Sequence, residues 1–302
     1  MSATPAQAVQ AANDGYGHHP GSRALHAKGV LLKGIFTASP EAASLSRAAH
    51  LQGDPVSVTV RFSNGSGDPR GADYLPDVRG LAVKFYLPDG SRTDVVAQTA
   101  PRFPVRTPEA FLELLRATSP TPASAYRFPL FLIRHPAALA RLPPNVAALT
   151  PPASYGTRPY YAIHAYRWID ASGEGRYVRY TLVPEAGEEK LGLRQARKRG
   201  RDYLQEEIRA RIARAPVRFA VEVQIAGPGD EVDDPSSHWP ADRRRVRIGR
   251  LDVTELEAGR ERDGDVLVFD PSRVTDGIAC SADPVLRFRP RAYSESVARR
   301  TS

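Results

Sequence analysis

The sequence predicts an α+β protein in which antiparallel strands form a closed β-barrel with helices at its periphery. Strand-like segments follow one another across short turns, without a helix between every pair. Val56, Val58 and Val60 alternate with Ser57 and Thr59, which is the two-residue period of a strand with one buried face. Together these features favour an antiparallel meander that closes on itself.

The remaining elements are predicted from β-branched runs, turn residues and helix caps. Further strands are predicted at residues 81–86, 94–97, 160–169, 177–183, 219–225, 245–253 and 266–270. Residues 170–176 resemble a hairpin turn. Thr107 followed by Pro108 predicts the start of a helix, and residues 186–214 form a second helical region. Residues 120–159 are rich in proline and predict helix fragments with connections.

The chain divides into an N-terminal arm and one principal domain. Residues 1–22 show no hydrophobic periodicity and are predicted to be a flexible arm, followed by a single domain over residues 23–302. The 302 residues are 41% hydrophobic and 25% charged, as in an ordinary globular protein. The chain is therefore long enough to bury a substantial core.

The sequence shows no pattern of a membrane-spanning helix or a signal peptide, and it contains one cysteine. No stretch approaches the roughly 20 apolar residues of a membrane-spanning helix, and the N-terminus lacks the pattern of a signal peptide. We therefore expect a cytoplasmic protein without a membrane partner. The single cysteine, Cys280, excludes an internal disulfide and a cysteine metal cluster.

The net charge of +8 raises the alternative of a basic nucleic-acid-binding protein. The densest basic runs, residues 194–201 and 243–250, are not interleaved with aromatic residues as a single-strand-binding surface would be. Solvated faces explain these runs better, so we expect no nucleic-acid partner.

The C-terminal segment contains an arginine and a tyrosine one helical turn apart. A guanidinium at Arg289 would favour the ionised form of Tyr293, and a phenolate is an uncommon but known ligand of haem iron. His26 is a candidate for the opposite side of such a haem. Arg61 and Ser63 share one face of a predicted strand, where a buried serine could orient an imidazole.

Several motifs in order resemble the haem catalases. They are His26-Ala-Lys-Gly29, Val60-Arg-Phe-Ser63, Asp77-Val-Arg-Gly-Leu-Ala-Val-Lys-Phe-Tyr86, Phe269-Asp-Pro-Ser272 and Arg289-Pro-Arg-Ala-Tyr293. The resemblance runs from Arg23 to Arg300 and is weaker at residues 112–159 and 185–215. The chain is similar to small catalase-related peroxidases. This resemblance implies a catalase-like barrel with a C-terminal helix that carries the proximal tyrosine.

The resemblance implies a role for each matching residue. His26 matches the distal acid/base histidine, Ser63 the hydroxyl that holds its ring, and Gln98 the position of the distal amide. Tyr293 matches the iron ligand. The residues that match the surroundings of the cofactor are Arg289 beside the tyrosine, its partners His164 and Asp283, the propionate-binding Arg23, Arg61 and Arg300, and the pocket aromatics Phe103 and Phe111.

The implied cofactor is haem b, and the implied reaction is reduction of organic hydroperoxides, and of hydrogen peroxide, through a two-electron-oxidised ferryl haem. The partners would be a small-molecule hydroperoxide and an organic electron donor. The middle region has no match to the family's nucleotide-binding patch, so NADPH is not expected. The segments that interlock catalase tetramers have no counterpart in this chain, which makes a homodimer or a monomer plausible.

Two departures from the family pattern bear on the reaction. Gln98 stands where the family has asparagine, and its longer stem is expected to weaken hydrogen peroxide disproportionation. Leu25 stands where full-length catalases usually have valine. Two alternatives stay open on the same scaffold: a fatty-acid hydroperoxide isomerase that forms allene oxides, and a haem-binding barrel without turnover.

Overall fold

A closed antiparallel β-barrel forms the centre of the molecule in the computed structural model, which describes residues 2–261 and 265–301. The strands are β1 (Gly29–Ala38), β2 (Val56–Asn64), β3 (Arg79–Tyr86), β4 (Arg92–Gln98), β5 (Tyr160–Tyr161), β6 (Tyr166–Ile169), β7 (Gly175–Pro184), β8 (Val217–Ile225), β9 (Arg245–Leu256) and β10 (Ile278–Cys280). The predicted barrel is thereby confirmed.

Pairing of β7 with β8 closes the ring. The barrel order is β5-β4-β3-β2-β1-β9-β8-β7, and every neighbouring pair is antiparallel. Strand β6 pairs with the first residues of β7, on the edge that β5 also uses, and β10 pairs with β6, so these two strands continue the sheet outside the ring. Closure leaves no free edge among the eight barrel strands, so their backbone groups pair within the barrel.

The barrel interior is filled by alternate residues of the strands. Val58, Val60 and Phe62 of β2 belong to the central hydrophobic cluster, and the Phe62 ring stacks on Tyr155 with centroids 5.3 Å apart. Burial of one such side chain stabilises the fold by roughly 1.5–3 kcal/mol. On the opposite face of β2, Thr59, Arg61 and Ser63 are also buried, because other segments cover the outside of the barrel there, whereas Ser57 is exposed.

Eight helices are described around the barrel. They are α1 (Pro5–Tyr16), α2 (Pro40–Leu45), α3 (Pro108–Thr118), α4 (Ser124–Arg134), α5 (Pro136–Ala148), α6 (Leu193–Arg199), α7 (Tyr203–Ile212) and α8 (Pro284–Thr301), with single 3-10 turns at Ala49–Leu51 and Tyr155–Thr157. The Thr107 hydroxyl accepts a hydrogen bond from Ala110 N, which confirms the predicted cap of α3. Within the described residues, no helix is long and apolar enough to cross a membrane.

The N-terminal segment contains a regular helix, in contrast to the expected arm without periodic structure. Thr4 and Gln7 form a reciprocal capping box at the start of α1, which satisfies two backbone donors. Val9, Ala11 and Ala12 are buried, and α1 contacts α3 and α8. The buried face of this helix consists largely of small alanines, which give the sequence no strong hydrophobic period. The helix could therefore not be predicted from hydrophobic periodicity.

Two strand predictions need correction, and two strands were not predicted. Residues 160–169 form two short strands, separated by the segment that contains His164. Residues 266–270 are not a strand because side chains bind their backbone: Arg23 donates to Leu267 O, and Asp270 N donates to Asp94. Strands β1 and β10 were not identified from the sequence.

Candidate active site

One row of paired residues crosses the outer face of the barrel. Gly29 of β1 faces Ser63 of β2, Ser63 faces Gly80 of β3, Gly80 faces Gln98 of β4, and Gln98 faces Tyr161 of β5. Alternate residues on these strands point into the core, so this row points outward. Because Gly29 and Gly80 have no side chains, other groups can approach the outer face of the sheet closely at these two positions.

His26 lies over this row. Its backbone has φ +55°, a left-handed conformation that is uncommon for a residue with a side chain. Two backbone hydrogen bonds hold the turn: His26 N donates to Gly65 O and Ala27 N donates to Ser66 O, both at 3.0 Å. The ring atom Nδ1 lies 3.0 Å from Oγ of Ser63, so the fold brings these two residues together.

Gly80 lies directly beneath the His26–Ser63 pair. A Cβ atom at this position would be 2.6 Å from Ser63 Oγ and 2.9 Å from His26 Nδ1. Both distances are shorter than real contacts, so any other residue would push the imidazole or the hydroxyl away. Sequence reasoning did not single out Gly80, although a glycine inside a strand often marks a close approach of another group.

The imidazole of His26 is held in its neutral form. Burial lowers the pKa of His26 to about 3, and the nearby guanidinium groups of Arg61, Arg289 and Arg23 add to the effect. A neutral imidazole with Nδ1 engaged by Ser63 has its other nitrogen, Nε2, available to accept a proton.

Gln98 belongs to the row of paired residues beneath His26, and the two predicted pocket phenylalanines contact each other. The Gln98 amide donates from Nε2 to Ala100 O at 3.2 Å, so its nitrogen is bound to its own loop. The Phe103 and Phe111 rings contact each other with centroids 4.9 Å apart, in a cluster that also contains Phe131. The predicted aromatic pair is therefore brought together.

A cavity of about 720 Å³ lies against the predicted propionate-binding arginines. Its lining includes Arg23, Arg61 and Arg300, together with Glu261. Arg61 is buried and donates to Ala27 O at 3.1 Å, while Arg23 donates to both carboxylate oxygens of Glu261. Arg300 lies 3.9 Å from the same carboxylate. Arg23 and Arg300 thus share one carboxylate, that of Glu261.

Glu261 was missed by sequence reasoning. It lies more than two hundred residues from Arg23 along the chain, and only the fold joins them. No local motif could have indicated the contact.

Helix α8 places Arg289 and Tyr293 one turn apart, as predicted. Burial raises the pKa of Tyr293, and Arg289 opposes this by stabilising the phenolate. The expected direction of the Arg289 effect is confirmed, but burial is the larger cause. The hydroxyl of Tyr293 therefore stays protonated in the protein alone, and a cation bound to its oxygen would reverse that balance.

His164 and Asp283 form a buried pair near the start of α8. Nδ1 of His164 lies 2.6 Å from Oδ2 of Asp283, and both side chains are 1% exposed. The second carboxylate oxygen accepts hydrogen bonds from Val285 N and Leu286 N, which caps α8. The opposite ring atom, His164 Nε2, is buried without a hydrogen-bond partner among the described residues.

Burial lowers the pKa of His164 to about 4, despite the opposing effect of Asp283, and Arg289 also lowers it. The charge of Arg289 therefore lowers the pKa of His164 and opposes the rise in the pKa of Tyr293. Of the predicted network, the structure shows the contact between His164 and Asp283.

These residues fit a haem. The site combines an imidazole, a phenol on a rigid helix and an arginine cluster that binds carboxylates, which are the groups that a ferric porphyrin with two propionates requires. The buried, unpaired Nε2 atom of His164 further indicates that the proximal network is built for a polar partner.

Comparison with known proteins agrees with this geometry. The family model described as Catalase matches residues 19–302. A catalase-related peroxidase of Mycolicibacterium paratuberculosis is 51% identical over 99% of this chain and 95% of its own length. A catalase-related peroxidase of Synechococcus elongatus is 31% identical over 99% of this chain and 89% of its own length.

Solved structures show the same fold in larger proteins. A fungal catalase superposes with a TM-score of 0.84 at 26% identity, and covers 94% of this chain and 60% of its own. Catalase A from Saccharomyces cerevisiae gives a TM-score of 0.79 at 25% identity, with 94% and 61% covered. The chain therefore belongs to the catalase family of haem proteins, and it is an oxidoreductase that acts on peroxide.

Proposed function

We propose that this protein is a haem b peroxidase that reduces organic hydroperoxides, and also hydrogen peroxide, at the expense of an organic electron donor. One observation supports the proposal most strongly: the turn that carries His26 borders the cavity of about 720 Å³ that the predicted propionate-binding arginines line. Ala27, the residue after His26, lines this cavity, and its carbonyl accepts a hydrogen bond from Arg61. A macrocycle with two carboxylates would find a cationic wall there, beside the imidazole that Ser63 holds.

The proximal residues would hold the cofactor and fix its axial ligand. Tyr293 would bind the iron through its phenolate oxygen, with Arg289 stabilising the negative charge. Asp283 fixes the ring of His164, which in turn lies near Arg289. Arg23, Arg61 and Arg300 would bind the two propionates, in place of or together with the carboxylate of Glu261.

The distal residues would move one proton between the two oxygen atoms of the peroxide. A bound haem supplies the metal that polarises the O–O bond and the two electrons that cleave it. His26 Nε2 accepts the proton of the hydroperoxide and returns it to the departing oxygen, which leaves as an alcohol or as water. Ser63 holds the tautomer in which Nδ1 carries the other proton.

Gln98 is proposed to contact the peroxide only after its amide leaves Ala100 O. This rearrangement is a reason to expect weak hydrogen peroxide disproportionation relative to peroxidase turnover. Phe103 and Phe111 would form an apolar wall that suits an organic hydroperoxide.

Steady-state turnover with an organic hydroperoxide and a phenolic donor tests the proposal. We expect donor oxidation in proportion to alcohol formed, and a loss of about 10²- to 10⁴-fold in His26→Ala with haem absorbance retained. His18→Ala, in the segment before the site, serves as the matched control and should be unaffected.

Three results would contradict the proposal. Unchanged turnover in His26→Ala would remove the assigned proton carrier. Conversion of a fatty-acid hydroperoxide to an allene oxide without donor consumption would assign the isomerase reaction instead. Haem binding without peroxide consumption would indicate that the protein is a haem carrier or a haem sensor.

A further inference from the structure

Helices α4 and α5 expose two rows of apolar side chains. Tyr126, Leu130 and Ile133 of α4 are 62%, 40% and 75% exposed, and Leu139 and Val146 of α5 are 55% and 56% exposed. Positions 126, 130 and 133 follow the i, i+4, i+7 spacing of one helix face, and positions 139 and 146 are two turns apart. These five residues are called the apolar face below.

The opposite sides of the two helices are buried in a common cluster. Phe131 of α4 and Ala138 of α5 are both buried there, together with Phe103. The apolar face therefore points away from the body of the protein. Exposed apolar rows on two consecutive helices are unusual for a surface that meets only water, and they mark an interaction site.

The charged residues on and beside the two helices are mainly basic. No aspartate or glutamate occurs between Glu113 and Asp170 in the sequence. Four arginines of this region lie on or beside the two helices: Arg127 and Arg134 on α4, Arg141 on α5 and Arg116 on α3. Among residues 2–261 and 265–301, none of these four arginines forms an ion pair with a carboxylate. Glu113, at the edge of the region, is bound to His135 at 2.9 Å.

We propose that the apolar face binds the surface of an anionic lipid bilayer. Helices with an apolar row and flanking arginines lie at the boundary between head groups and acyl chains, and each guanidinium near an anionic surface adds to the attraction. Neither helix is long and apolar enough to cross the bilayer, so the contact is peripheral. This refines the expectation of no membrane partner, which rested on the lack of a spanning segment.

Charge disfavours the two other occupants. In a symmetric dimer the same surface meets itself, which would place the unpaired arginines of one copy against those of the other. A nucleic acid would leave Leu130, Ile133 and Leu139 facing a phosphate backbone, where they gain nothing. An anionic bilayer offers both negative charge and apolar depth.

One consequence rests on the proposed function. The cluster beneath the apolar face contains Phe103 and packs against Phe111, the proposed wall of the haem pocket. Bilayer binding would bring that wall close to oxidised acyl chains, which are apolar hydroperoxides. Binding itself is measured without turnover, so failure of the peroxidase reaction would leave this inference intact.

Co-sedimentation of the purified full chain with vesicles tests the proposal. We expect binding to phosphatidylcholine vesicles that contain phosphatidylglycerol, little binding to phosphatidylcholine alone, and weaker binding at high salt. Arg127→Gln and Arg134→Gln should each weaken binding about fivefold. Leu130→Ser should weaken it about tenfold through lost apolar burial.

Matched controls lie elsewhere on the protein. Leu193 is also 40% exposed, and Arg214 is exposed, with its side chain bonded only to Ala210 O among the described contacts. Leu193→Ser and Arg214→Gln should leave vesicle binding unchanged, with folding of all variants checked by circular dichroism.

Two results would overturn the proposal. Equal losses in the control variants would show that overall positive charge alone attracts the vesicles. Absence of vesicle binding, with dissociation of a dimer by Leu130→Ser in sedimentation, would assign the face to a second copy of the chain.

Discussion

The carboxylate of Asp283 joins the buried imidazole of His164 to the first turn of helix α8. One oxygen lies 2.6 Å from His164 Nδ1, and the other accepts hydrogen bonds from Val285 N and Leu286 N. A single side chain therefore contacts both the imidazole of His164 and the first turn of the helix that carries Tyr293.

Removal of this carboxylate should destabilise the protein. Asp283→Ala loses a helix cap and leaves the buried His164 without a partner, which we expect to lower the free energy of unfolding by about 2–4 kcal/mol. Asp283→Asn retains an acceptor and should lose less. Urea denaturation measures both variants against Asp276→Ala, which breaks only an exposed pair with Arg47. A loss no larger than in Asp276→Ala would contradict the assigned role.

Ser63 should act through the orientation of His26. In Ser63→Ala the ring loses its partner at Nδ1, and we expect kcat to fall by about tenfold to a hundredfold with haem absorbance unchanged. Ser57→Ala, an exposed serine on the same strand, should have no effect. A purely structural role would instead lower stability without a change in kcat, and stopped-flow kinetics together with denaturation separates the two.

Gly80 should tolerate no side chain. The Cβ of Gly80→Ala would collide with Ser63 Oγ and His26 Nδ1, so we expect turnover to fall by about a hundredfold while haem binding persists. Gly192→Ala is the control, because its Cβ meets nothing closer than 3.5 Å. Full activity in Gly80→Ala would show that the pair has no fixed geometry.

The acid side of the pH profile should be flat until strongly acidic pH. Burial, followed by Arg61, Arg289 and Arg23, lowers the pKa of His26 to about 3. The imidazole accepts a proton only when neutral, so activity is retained above this pKa and lost as the pH falls through it. We expect kcat/KM to change by less than about twofold between about pH 5 and pH 8.

An inflection near the ordinary histidine pKa, about 6.5, would contradict this account of His26. Arg61→Gln provides an internal check. The charge of Arg61 lowers the pKa of His26, so its removal should raise that pKa and move the acid limb of the pH profile toward neutral pH. Arg218→Gln, on the exposed side of β8, should not move it.

The sequence predicted those parts of the fold that have a local cause. Alternating valines in β2 and the Thr107 cap of α3 each depend on neighbouring residues, and both predictions are confirmed. Residues 266–270 have the composition of a strand, but distant side chains from Arg23 and Asp94 bind their backbone instead. Local propensity cannot reveal such tertiary contacts.

The candidate site was reached from the resemblance to a family, and its geometry required the fold. Ser63, Gly80 and Gln98 become neighbours only through the register of three strands. The contact between Glu261 and Arg23 has no trace in either local sequence. The larger effect of burial on Tyr293 also depends on packing that no motif encodes.

The visible absorption spectrum of the purified protein, with and without Tyr293→Phe, tests the central claim most directly. We expect the wild-type chain to bind haem with the high-spin ferric spectrum and charge-transfer band of a tyrosinate ligand. Tyr293→Phe should lose that band, whereas Tyr126→Phe, on the exposed face of α4, should keep it. An identical spectrum in Tyr293→Phe, or a wild-type protein that binds no haem, would contradict the account.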